Sequence, residues 1–101
     1  DLVKSGGEWI SSLDLERAIG DLAAIDSVAV VARADERWGE RPVAIVVLRA
    51  GASLNLQDLR TSLSATFESW QLPDAIFEIE SMPLTSTGKI DKKALRILAG
   101  S

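Results

Sequence analysis

Cysteine and histidine are both absent from this 101-residue chain. Their absence excludes disulfides, thiol nucleophiles, imidazole general bases and most zinc sites, and no metal site is expected. Lack of cysteine also suits a cytoplasmic protein. No apolar stretch approaches the ~20 residues needed to cross a bilayer; the longest, residues 28–32 and 43–48, are far shorter. No signal-peptide pattern opens the chain. No initiator Met precedes Asp1, as expected of a piece cut from a longer protein. An excess of positive charge is missing too, since 11 basic residues stand against 15 acidic ones for a formal charge of −4. That balance disfavours attraction to nucleic acid or anionic lipid, and no nucleic-acid partner is expected.

What is present is a composition of 47% apolar and 26% charged residues, which argues for one folded domain over residues 1–101 rather than a disordered segment. The basic residues are unevenly spread. Lys89, Lys92, Lys93 and Arg96 crowd near the C-terminus, so a local anion site survives the overall acidity.

Residues 2–4 and 8–11 are strand-like and flank Ser5-Gly6-Gly7, which predicts a small hairpin with glycines at the turn. Ser11 or Ser12 offers a helix N-cap, and Leu15, Ala18, Ile19 and Leu22 follow at helical spacing, with Glu16, Arg17 and Asp21 off the stripe. That helix is expected to end near Ala24. Residues 27–33 and 43–49 read as apolar strands separated by a polar loop over 35–42. Asn55 caps a second helix with Leu56, Leu59, Leu63 and Phe67 as its stripe. A third strand is expected over 75–79, then a loop, then a short helix from Ile90 carrying Ala94, Leu95 and Leu98. The expected fold is α+β: a small sheet of about three strands flanked by helices and preceded by an N-terminal β-hairpin.

Two segments spend residues on something other than a core. In Lys4-Ser5-Gly6-Gly7-Glu8-Trp9 the paired glycines allow either a plain hairpin turn or the close approach of a ligand to backbone. In Pro83-Leu84-Thr85-Ser86-Thr87-Gly88-Lys89-Ile90, a lysine after a glycine in a Ser/Thr-rich loop can present an ammonium to an anion. The segment is not a phosphate-binding P-loop: that motif starts with Gly and follows its Lys with Ser or Thr, whereas Pro83 and Ile90 hold those places.

Together these two segments, Asp1 to Ser11 and Pro83 to Lys93, resemble the signature segments of the C-terminal domain of the adenylate-forming acyl-CoA synthetase superfamily. Trp38-Gly39-Glu40-Arg41-Pro42 and Trp70-Gln71-Leu72-Pro73-Asp74 resemble its medium- and long-chain fatty acyl-CoA synthetase branch. The resemblance implies a partner, the large N-terminal AMP-binding domain, which binds ATP and a carboxylic acid. The first half-reaction makes an acyl-adenylate and pyrophosphate. The small domain then rotates, and CoA attacks the adenylate to give a thioester and AMP. ATP and CoA are thus substrates, and Mg2+ is expected in the full-length enzyme but not on this domain.

Residue by residue, the resemblance makes Lys89 the catalytic cation of adenylation. Gly88 lets its loop enter the site, and Thr85 and Thr87 tether it. Gly7 lines the pantetheine tunnel; Lys4, Gly6, Glu8 and Trp9 lie on the same CoA- and adenylate-facing hairpin. Lys92 and Lys93 are read as solvated charges or distant phosphate contacts. The Pro83-to-Lys89 pattern also resembles that at which family members are acetylated. The family's hinge residue falls just before Asp1, so the isolated domain is expected to be inactive. Two other readings are a C-terminal domain serving a carrier protein in place of CoA, and a stand-alone regulatory module binding a small effector at Gly6-Gly7.

Overall fold

A computed structural model describes residues 2–100; Asp1, the first residue of the hairpin signature, and the hinge expected before it lie outside the described residues. In chain order the elements are β1 (Leu2–Ser5), β2 (Glu8–Ser11), α1 (Ser12–Gly20), β3 (Ile25–Asp35), β4 (Gly39–Leu48), α2 (Leu56–Leu63), a 3-10 turn (Ser69–Gln71), β5 (Ala75–Glu78) and α3 (Lys92–Leu98). The strands form one five-stranded sheet, so the expectation of about three strands beside a separate hairpin is corrected. β4 is its axis. One edge pairs antiparallel with β3 from Ile25↔Leu48 to Asp35↔Gly39. The other edge takes β1 at Ser5↔Gly39 and then β5 in parallel from Val43↔Ala75 to Val46↔Glu78. The hairpin thus continues the sheet.

The alternation of strand side chains sorts the core into two layers. Val30, Ala44 and Val46 face α1 and α2, meeting Leu15, Ile19, Leu59 and Leu63. Ala29, Val31, Val43 and Ile45 face the other way, toward Leu95 and Ala99 at α3. Because β4 is covered on both faces, residues 41–46 are all buried, and an almost unbroken apolar run results. Each buried Ile or Leu stabilises by about 1.5–3 kcal/mol relative to exposure, so these layers hold the sheet on which both candidate segments stand.

Three boundaries differ from expectation for identifiable reasons. α1 starts at its Ser11 cap, whose Oγ accepts from the Asp14 amide, but stops at Gly20 rather than near Ala24, as the chain turns through Leu22 N–H to Ile19 O. Residues 35–42 form strand ends and a tight turn rather than a loop. Asp35 Oδ2 accepts from the amides of Arg37 and Trp38, an aspartate turn that polar composition disguises. Pro42 is tolerated inside β4 because its carbonyl accepts from Asp74 N–H, so its nitrogen faces the same edge, between the β1 and β5 pairings, where no ladder bond needs a donor. α3 begins at Lys92 behind an Asp91 cap; Ile90 instead bridges Leu84. Phe67 lies beyond α2 yet still packs on the core.

Candidate functional site

The hairpin register pairs Lys4 with Trp9 and Ser5 with Glu8, which leaves Gly6 and Gly7 as the two turn residues, both left-handed with φ 59° and 83°. Such a turn matches the twist of the strands it joins and requires residues that tolerate positive φ. The two glycines differ in their surroundings. A Cβ on Gly6 would lie 3.0 Å from Trp38 Cε3, whereas one on Gly7 would meet nothing within 4 Å. Gly7 therefore faces open space. Trp9 does not pack on the sheet; it is 57% exposed, with Lys4 Nζ 4.9 Å from its ring centroid. Lys4, Gly7 and Trp9 line one shallow groove together with Trp38 and Glu40.

Behind the turn sits Arg41, which spacing alone gave no reason to single out. It is 7% exposed and fully engaged. Its Nε donates to Asp74 Oδ1 at 2.9 Å, Nη1 to Ser5 Oγ at 2.9 Å and Trp70 O at 2.7 Å, and Nη2 to Leu72 O at 3.0 Å. A buried guanidinium is tolerable only when its donors are met in this way. One side chain thereby ties the hairpin, β4 and the 70–74 segment together. Gly6 N–H donates to Trp38 O at 2.8 Å, and Lys4 N–H to Glu40 Oε1 at 2.9 Å. Between the turn and the 3-10 helix lies a cleft of about 500 Å³, walled by Trp38 and Trp70 and reached by Glu8 and Arg60. The signal available in the sequence was a charged residue beside Pro42 just ahead of an apolar run, but its partners lie too far along the chain to be read.

The Lys89 loop is built differently. Leu84 bridges Ile90, Thr85 N–H donates to Lys89 O at 2.7 Å, and Gly88 N–H donates back to Thr85 O at 2.9 Å. This is a three-residue hairpin loop whose last position is left-handed, and Gly88 occupies it with φ 84°. Thr85 Oγ1 lies 3.1 Å from Thr87 Oγ1 and 3.3 Å from the Lys89 amide. All five residues of 85–89 are exposed. Among the described residues the Lys89 ammonium has no ion pair or hydrogen bond. Leu84 and Ile90, at 61% and 37% exposure, flank it as apolar shoulders. Neither the groove nor the cleft at the hairpin is lined by this loop, so Lys89 and Gly88 form a second site.

One expectation is overturned nearby. Lys92 is not a solvated charge: its Nζ lies 2.8 Å from Glu16 Oε2 and donates to Val30 O at 3.3 Å. No group of three or more His, Cys, Asp or Glu side chains able to hold a metal is assembled among the described residues. No described helix is long and apolar enough to cross a membrane.

The domain is thus an α+β sheet with helices on both faces, presenting a glycine hairpin in one place and, among the described residues, an unpaired lysine on a preformed loop in another. The chain belongs to the AMP-binding enzyme C-terminal domain family, whose model matches residues 14–89. It is 50% identical over 97 residues to a long-chain-fatty-acid–CoA ligase of Thermus thermophilus, covering 95% of this chain and 18% of that protein. It is 42% identical over 97 residues to a salicylyl-CoA synthase/salicylate adenylyltransferase of a Streptomyces species, with the same 95% and 18% coverage. A fatty acyl CoA synthetase structure from Mycobacterium tuberculosis matches with TM-score 0.87 and 32% identity over 97% of this chain and 19% of that one. The chain thus spans about a fifth of the length of these relatives.

Proposed function

We propose that this chain is the mobile C-terminal domain of an ATP-dependent, AMP-forming acyl-CoA synthetase, and that its two exposed turns serve the two half-reactions in succession. In adenylation, a substrate carboxylate attacks the α-phosphorus of ATP and negative oxygens crowd together. A cation bridging them lowers the barrier because it interacts more strongly with the transition state than with the separated reactants. Lys89 is the residue proposed for that task, and the observation that carries the proposal is its ammonium: exposed on a preformed loop and unpaired among the described residues. A compact charge on a flexible stem suits entry into a site supplied by another domain. The chemical identity of the relatives supports ATP and CoA as substrates and a carboxylic acid as the acyl donor, with fatty acids favoured by the names of two of the three. Mg2+ is proposed to accompany ATP in the full-length enzyme, outside this domain. The proposed compartment is the cytoplasm.

In thioesterification the hairpin is the proposed face. Gly7, open to solvent in the free domain, would border the path of the pantetheine thiol, with Gly6, Lys4, Glu8 and Trp9 around it.

The test separates the half-reactions in the full-length protein. Lys89→Ala is expected to slow acid-dependent ATP–pyrophosphate exchange by roughly 10²-fold or more, as for removal of one transition-state donor. Thioester formation from supplied acyl-adenylate should change little. Gly7→Leu should do the reverse. Equal losses in both half-reactions for either variant would sink the division of labour.

A further inference from the structure

Glu16 and Lys92 come from opposite faces of the sheet and meet at its open edge. β3 is a terminal strand of the sheet, so the backbone groups of its outer edge have no neighbouring strand. At Val30 both are covered by side chains: the amide donates to Glu16 Oε2 at 2.8 Å, and the carbonyl accepts from Lys92 Nζ at 3.3 Å. The same carboxylate oxygen and ammonium lie 2.8 Å apart, with side chains only 18% and 22% exposed. Glu16 stands on α1 and Lys92 is the first residue of α3. Charged partners joined to each other and to one strand residue make a three-way junction in a partly desolvated place, where such bonds are stronger than at a free surface.

The position of Lys92 bears on the loop that precedes it. The chain just before it is the stem of the Lys89 loop: Asp91 N–H donates to Pro83 O at 2.8 Å, and Ile90 bridges Leu84. The other stem is fixed at Met82, which packs on the α3-side core. Among the described residues the hydrogen bonds of the loop itself, 85–89, are internal to it. Its aim relative to the sheet is therefore set where the stems are fastened, at Met82 on one side and Lys92 on the other.

We infer that the Glu16–Lys92–Val30 junction is a positioning clasp that fixes the direction in which the Lys89 loop projects, so that Lys92 and Glu16 are positioning residues for the adenylation step. The inference rests on the role proposed for Lys89. Small displacements of a reacting charge are costly in rate, and a clasp acting only through Lys89 leaves a distinctive kinetic trace.

The experiment uses the full-length protein carrying Lys92→Met, Lys92→Arg or Glu16→Gln, alone and combined with Lys89→Ala. For Lys92→Met and Glu16→Gln, kcat of ATP–pyrophosphate exchange should fall on the order of 10-fold with unchanged KM for ATP, and thioesterification should be spared. Lys92→Arg, which keeps a donor cation, should recover most of the rate. In the Lys89→Ala background Lys92→Met should have no further effect, because the only group the clasp aims is gone. Equal losses in both half-reactions, or a full additional loss in that background, overturn the clasp and leave an ordinary structural ion pair. If Lys92→Met is harmless while Lys89→Ala is not, the clasp alone falls. If Lys89→Ala itself leaves exchange intact, the assignment of Lys89 fails and takes the clasp with it.

Discussion

The Gly6-Gly7 turn and the Thr85–Lys89 loop use the same device, a tight reversal closed by left-handed glycine at φ 59°, 83° and 84°, yet they are anchored in opposite ways. The first is braced from behind by a buried guanidinium and by the Trp38 carbonyl. The second is held by its own threonine and backbone bonds and, among the described residues, is joined to the body of the domain by hydrogen bonds at its stems. The difference suits two kinds of work. If the hairpin borders a channel as proposed, a rigid mount serves it, since any shift of the wall closes the channel. For the role proposed for Lys89, a charge that enters another domain's pocket gains from standing clear of its own, where no partner among the described residues competes for it.

The contrast is broken most forcefully at Arg41. Arg41→Met removes the cation from Asp74 and strips donors from Ser5 Oγ, Trp70 O and Leu72 O at once. Asp74 is 33% exposed and can regain water, so the destabilisation expected is about 3 kcal/mol, the lower end for breaking a buried pair. Denaturant unfolding of the domain measures it. A cost under about 1 kcal/mol, the size of a surface ion pair, would mean that the hairpin mount is not a structural hub.

How much of this was legible in advance follows the range of the interactions. Local chemistry read well: Ser11 and Asn55 cap the helices expected of them, the glycine pair forms the predicted hairpin turn, and Leu15, Ile19, Leu59 and Leu63 are buried as their spacing requires. What failed was long-range. The polar segment 35–42 became a tight turn flanked by strand ends because its charged residues stand at the outer end of a long β-hairpin whose inner half alone needed to be apolar. The hairpin joined the sheet, among the described residues, through the pairing of Ser5 with Gly39, for which no pattern exists. Arg41 was passed over and Lys92 misread for one shared reason: a buried charge is recognisable only with its partner, and Asp74 and Glu16 lie far away in sequence. The Lys89 loop was visible as a segment, but its conformation, set by Gly88 in the left-handed position, was not.

Glycine replacements sharpen the comparison at smaller cost. An Ala forced to positive φ loses about 1–2 kcal/mol. Gly7→Ala and Gly88→Ala should each pay this strain alone, because an added Cβ meets nothing within 4 Å at either. Gly6→Ala should lose more, since its Cβ also presses at 3.0 Å on the Trp38 ring. The three unfolding midpoints rank the variants directly. If Gly6→Ala and Gly7→Ala are equal, Trp38 yields freely and the mount behind the turn is softer than described.

The smallest effect is expected at Thr85. Thr85→Val removes the hydroxyl that contacts Thr87 Oγ1 and the Lys89 amide, bonds worth below about 1 kcal/mol each in exposed surroundings. Because they lie in a loop that opens without unfolding the sheet, the global midpoint should stay in place while the Lys89 amide exchanges with solvent faster. Amide exchange read residue by residue separates these outcomes. Should Thr85→Val instead lower the midpoint as Arg41→Met does, the loop would belong to the cooperative core, and the distinction between a braced face and a free-standing prong would be lost.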